Sequence, residues 1–232
     1  MNNDLDNKYF IILNKDEIIF SCLSNENKIS FTKKYTLING PSDLFEELQN
    51  FFIDNLIKIE KTLKDFIKKI YIIIDTDNSL SVNLSIKYKL ETEKINYDKI
   101  NELLSYLKYQ FTKYSYDQKV IHMTISKLVV DDKENNFSFA KENSNNLILE
   151  VKFECLKKQT VQIINKICSN YQISVKKILL VNHLSQFIKY QTENIVFAAD
   201  KFLRSEDNNE VSWISKKPIK LGFFEKFFKL FG

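Results

Sequence analysis

Glycine occurs three times in 232 residues and proline twice. Loops that wrap a phosphate need several glycines, to reach positive φ and to let the backbone approach the ligand. Gly40, Gly222 and Gly232 stand far apart, so no Walker-type or dinucleotide loop can be written, and an ordinary nucleotide enzyme is not expected. Histidine is as scarce. His122 and His183 have no second ligand or acid at a fixed local offset, and each reads as a strand-end or core residue. Cys22, Cys155 and Cys168 sit singly in apolar stretches without metal-ligand spacing, as buried thiols do in a reducing compartment. Met1 to Lys8 is polar and acidic, without the apolar h-region of a signal peptide. No apolar run reaches the ~20 residues of a spanning helix. These absences predict a non-enzymatic protein with no catalytic, cofactor or metal site, cytoplasmic unless it binds a membrane from one side.

What is present is a core. Hydrophobic residues make up 44% of the chain, and the mean hydropathy of -0.27 fits a soluble α+β protein. Tyr9 to Leu13 and Glu17 to Leu23 are β-rich runs around the turn Asn14-Lys15-Asp16, and Lys28 to Leu37 continues the meander. Asn39-Gly40-Pro41-Ser42 breaks the chain, with Ser42 as N-cap of a helix through Leu44, Leu48, Phe51, Phe52 and Ile59. A further helical stretch covers Ile59 to Ile67. Tyr71 to Ile74 is a β-branched strand, and Val82, Leu84, Ile86 and Tyr88 alternate as a half-exposed one. Asn96 to Lys113 is helical through Ile100, Leu103, Leu104, Leu107 and Phe111. Val120 to Ile125 is a strand, Leu128 to Val130 begins another, and Lys133 to Asn146 is a loop or weak hairpin. Leu147 to Phe153 is a strand, Gln159 to Tyr171 a helix, and Val175 to Val181 a closing strand. This order predicts mixed sheets. Beyond Val181 the pattern weakens, and Glu206-Asp207-Asn208-Asn209-Glu210 reads as a solvated tether.

The sharpest signal is the C-terminal segment. On a helical projection Leu221, Phe223, Phe224, Phe227, Phe228, Leu230 and Phe231 fall in one half-circle, and Glu225, Lys226 and Lys229 in the other. With Lys216, Lys217 and Lys220 the tail holds five lysines against one glutamate, the same +4 as the whole chain. Everything before it therefore sums to zero. Burying one Phe contributes roughly 1.5–3 kcal/mol, and each Lys beside an anionic leaflet about 1 kcal/mol. Five Phe, two Leu and several Lys thus give a gross attraction on the order of 10 kcal/mol, set against the cost of ordering the segment. At ~1.5 Å per residue it is too short to cross ~30 Å of hydrocarbon, so it would lie flat on anionic lipid. The plainer alternative is a terminal helix docked on its own domain or on a partner. Trp213 and Ile214 are either an interfacial anchor or a packing contact.

Other charges are less specific. Asp75 with Asp77, and Asp131 with Asp132, stand at strand ends where turn chemistry already favours Asp. The tail holds the only basic stripe, so nucleic acid is not an expected partner.

The run KVIHMTISKLVVDD (Lys119 to Asp132), the strand LILEVKFECL and the helix KKQTVQIINKIC are similar to the strand-helix-strand-strand (SHS2) subdomain of the bacterial cell-division family FtsA. Val120, Ile121, His122, Leu128, Val129 and Asp131 match that motif, while its usual proline and tyrosine are absent. Ile95 and Asp98 in KINYDKINELLSYL match the family's helix start, and GFFEKFFKLF resembles its membrane-targeting helix in character. The resemblance implies a reduced actin-like protein. The Asp-x-Gly phosphate turn that ends the family's opening strand is replaced by Asn14 and Asp16, and the second glycine-rich loop and second lobe have no counterpart after Val181.

The expected organisation is therefore a partial actin-like lobe at 1–90 and an SHS2-type interaction subdomain at 91–185. A tether at 186–215 and a membrane helix at 216–232 complete it. The function implied is an adaptor of the division machinery at the septum, peripheral on the cytoplasmic face of the inner membrane. It would bind anionic lipids through its tail, and division proteins or itself through the subdomain. Two alternatives are an adaptor of pilus or secretion assembly like PilM, and a nucleotide-dependent actin-like switch. PilM lacks such a tail, which favours the division reading on sequence.

Overall fold

Two apolar runs, KYFIIL and KIYIII, are buried on both sides, as the central strands of a covered sheet must be. They are β1 (Lys8–Leu13) and β4 (Lys69–Ile74), paired in parallel with Phe10 opposite Tyr71. The computed structural model describes residues 7–38, 44–94, 97–134, 143–188, 194–204 and 211. Around β1 the antiparallel meander adds β2 (Glu17–Leu23) and β3 (Ile29–Thr36). On the other side β9 (Ser174–Leu180) pairs in parallel with β4. The sheet order is β3-β2-β1-β4-β9.

Strand alternation assigns side chains to two layers. Ile11, Leu13, Ile72, Ile74 and Leu180 face α1 (Leu44–Leu63) and α3 (Lys158–Asn170), where Leu48, Phe51, Phe52, Ile164 and Ile167 close one core. Phe10, Ile12, Ile73 and Leu179 face the opposite layer, α4 (Val181–Leu184) and α5 (Ile195–Arg204), through Leu184, Val196, Ala199 and Phe202. Each fully buried side chain of this kind stabilises the fold by roughly 1.5–3 kcal/mol before ordering costs.

The chain divides into two compact units. The first holds the five-stranded sheet and its helices. The second holds the described residues of 81–118 and 122–153, together with Val211. Its sheet runs in the order β5-β8-β6-β7, from β5 (Leu80–Lys94), β6 (Gln118–Val130), the two-residue β7 (Lys133–Glu134) and β8 (Asn143–Lys157). Helix α2 (Tyr97–Tyr114) buries Ile100, Leu103, Leu104, Leu107 and Phe111, the stripe that its periodicity predicts. Phe111 stacks on Phe153 with ring centroids 4.9 Å apart.

The α+β class with mixed sheets is thus observed. Four details differ from the sequence expectation. The 186–215 stretch is not simply a tether, because 195–204 is a helix with Val196, Ala198, Ala199 and Phe202 buried. Ten residues sufficed, since their apolar face had a sheet to cover. The boundaries at 90 and 185 are not those of the two units: β5 begins before residue 90, while α3 and β9 belong to the first unit. There β9 finds six partners on β4. The break expected near Ser126 is absent, both segments lying in β6, and the helical stretch expected to reach Ile67 ends with α1 at Leu63. The Asn39-to-Ser42 breaker, most of the 133–146 loop and the C-terminal helix lie outside the described residues, apart from β7 and the start of β8.

Candidate functional site

In a sheet with parallel strands the usual ligand crevice lies outside their carboxyl ends. Here that edge carries Asn14 after β1 and Asp75 after β4. The Asp75 N–H donates to the Leu13 carbonyl at 2.8 Å, which ties the two strand ends together. A crevice of about 640 Å³ opens beside them. Leu13, Ile74, Leu156 and Ile164 give it apolar walls, and Lys15, Lys157, Asp75 and Asp77 bring two charges of each sign to its lining.

The Asn14-Lys15-Asp16 turn is closed by its own side chain. Asn14 Oδ1 accepts from the backbone N–H of Asp16 at 2.9 Å and of Glu17 at 2.7 Å. The Asn14 N–H donates to the Glu17 carbonyl at 3.3 Å. Two amides that a glycine-rich turn would leave for a ligand oxygen are thereby engaged. The Lys15 ammonium pairs with the Asp77 carboxylate, which holds it above the ordinary lysine range. After β4, Thr76 Oγ1 accepts from the Asn78 N–H at 3.1 Å, so this pair of carboxylates stands on a turn, as its spacing suggests. The other pair does as well. Asp131 and Asp132 adopt φ of 45° and 65°, and Asp131 Oδ1 accepts from the N–H groups of Asn145 and Asn146, each at 2.9 Å.

The three thiols are buried. Burial pushes Cys155 and Cys168 up to about 12, the Glu154 charge adding to the rise at Cys155, and it raises Cys22 in the same direction. None is a thiolate nucleophile near neutral pH. His122 is buried in β6. His183 is a core residue with a specific partner that sequence reading missed: its Nδ1 lies 2.7 Å from Glu154 Oε2. The two stand 29 residues apart, a spacing that carries no local signal.

Every residue predicted to touch lipid, from Lys216 through Phe231, lies outside the described residues. Among those described, no helix is long and apolar enough to cross a membrane.

No protein-family model matches the chain, and no curated protein matches it in sequence. Solved structures to which the chain is similar include the cytoplasmic domain of EpsL, an inner-membrane component of the type II secretion system of Vibrio cholerae. It has a TM-score of 0.41 and 10% identity over 80% of this chain and 61% of that one. A Bacteroides thetaiotaomicron protein of unknown function with an actin-like ATPase fold has a TM-score of 0.36 and 17% identity, covering 79% and 56%. The PilM–PilN type IV pilus biogenesis complex has a TM-score of 0.46 and 7% identity, covering 79% and 50%. The chain spans between half and three-fifths of these structures.

Proposed function

We propose that this protein is a membrane-peripheral assembly adaptor, whose folded units bind other proteins and whose basic C-terminal segment holds them on anionic lipid. The observation that carries the reading is the closure of the β1–β2 turn by Asn14, beside a crevice with apolar walls and balanced rim charge. Such walls suit a polypeptide segment, with apolar side chains on the floor and polar groups at the rim. A triphosphate would meet two carboxylates and two amides already engaged. The tail supports the location, through five phenylalanines and a net charge of +4. The setting we propose is secretion or pilus assembly at the inner membrane, since one similar structure is from an inner-membrane component of a type II secretion system and another is a type IV pilus biogenesis complex. Cell division is the second reading, favoured by the FtsA-like run from Lys119 to Asp132.

Sedimentation of the full chain with phosphatidylglycerol vesicles tests the reading. The chain is expected in the pellet, and Phe227→Ser with Phe228→Ser and Phe231→Ser should return it to the supernatant. Equal sedimentation of both proteins, or none of either, would remove the membrane part of the proposal. A rise in melting temperature with Mg-ATP would instead make the crevice a nucleotide site.

A further inference from the structure

The second unit carries an aromatic surface that its own core does not use. At the C-terminal end of α2, Tyr109 is 53% exposed and Tyr114 77%, and Tyr116 in the following turn is 77% exposed. Tyr106, Gln110 and Tyr114 stand four residues apart along one row of the helix. The Tyr106 hydroxyl interacts with Gln110, and Tyr114 lies close enough to act on it electrostatically. Tyr109 and Lys113 form the adjoining row, and the Lys113 ammonium sits 5.6 Å from the centre of the Tyr114 ring. Both acidic residues of α2, Asp98 and Glu102, lie in its N-terminal half, and Lys108 and Lys113 in its C-terminal half. The patch thus combines tyrosines with lysines at one end of the helix.

Rings with an apolar body and a hydroxyl tip collect at the headgroup level of bilayers, and lysines beside them are drawn to anionic lipid. The same unit also holds the start of the tail. The Val211 N–H donates to the Met123 carbonyl of β6 at 2.7 Å, five residues along the strand from Gln118, or about 17 Å. From Val211 the ten residues to Leu221 span at most about 35 Å. The amphipathic segment can therefore reach the plane on which the tyrosines would rest.

We propose that the tyrosine–lysine end of α2 is a second contact with the anionic membrane surface, which fixes the orientation of the second unit on the lipid. This inference rests on the membrane reading above, and the experiment separates the two. The native thiols are buried, so a cysteine at an exposed position takes an environment-sensitive fluorophore selectively. The full chain carrying Tyr114→Cys is labelled, with labelled Ile57→Cys, at an exposed position of α1, as control. Phosphatidylglycerol vesicles should shift the emission of the label at 114 to the blue and leave that at 57 unchanged. Tyr109→Ser with Tyr114→Ser and Tyr116→Ser should weaken vesicle partitioning about tenfold at an unchanged melting temperature. If that triple variant fails to fold, Lys108→Glu with Lys113→Glu takes its place. Vesicle binding with a silent label at 114, and partitioning unchanged by either set of substitutions, would overturn this inference alone. No vesicle binding by the full chain would overturn both.

Discussion

His183 and Glu154 meet in the interior of the first unit, Nδ1 2.7 Å from Oε2, both side chains buried. The Gln186 amide faces Nε2 at 3.3 Å. The rings of Phe187 and Phe202 pack on the imidazole, at 6.1 and 5.2 Å between centroids. Glu154 comes from β8 and His183 from α4, so the contact pins the layer that follows β9. Glu154→Ala removes the acceptor from a buried imidazole and should cost about 3–5 kcal/mol. Glu154→Gln keeps an acceptor and should cost about 1–2 kcal/mol. Urea unfolding of the two variants checks the ranking; equal losses would mean that the pair is not specific.

Helix α5 should behave as part of the core. Phe202 is 2% exposed and touches both His183 and Phe187. Phe202→Ala is expected to cost about 3–5 kcal/mol, which lowers the melting temperature on the order of 10 °C. A tether would tolerate the change, so an unaltered calorimetric transition would restore the tether reading for this stretch.

The Asn14 turn gives a local prediction. Asn14→Ala frees the amides of Asp16 and Glu17, at a cost of about 1 kcal/mol. Asn14→Asp preserves the acceptor. Amide hydrogen exchange at Asp16 and Glu17 should quicken in the first variant and stay slow in the second.

Alkaline pH should destabilise the fold through its thiols. In the folded chain Cys155 and Cys168 hold their protons up to about pH 12, against 9.0 when unperturbed. Between these values the unfolded chain releases protons that the folded chain keeps. This stabilising contribution is therefore complete below about pH 9 and is lost as pH rises towards 12. Cys155→Ala with Cys168→Ala should flatten the decline of stability over that window in urea titrations, whatever the variant's baseline. A disulfide reagent at pH 8 should find no reactive thiol until urea is added.

Much of the fold was legible in the sequence, and the exceptions have physical causes. The meander, α1, α2 and α3 show their periodicity because each buries one continuous face, as Ile100 to Phe111 does. Helix α5 has a local start signal: Asn194 Oδ1 caps the Val196 N–H at 2.9 Å, just before the apolar residues. Its polar flanks and short length hid it. The allocation of β9 was not legible, because its partner Ile72 stands opposite Ile178 across a long sequence gap. The crevice was legible only in part. Asn14 and Asp16 mark the turn after β1, but nothing local brings Leu156 and Ile164 to the same walls. The Glu154–His183 contact was hidden for the same reason.

The parallel pairing of β4 with β9 also governs when this protein can be finished. About a hundred residues separate Ile74 from Ser174, so a ribosome has made most of the chain before the fifth strand of the first sheet exists. Until then β4 presents an unpaired edge rich in isoleucine, the kind of edge that invites pairing between molecules. The intervening unit has a core of its own, and once folded it shortens the loop that β9 must close. The insertion is thus a timing element, and substitutions that slow its folding should surface first as aggregation of newly made chains.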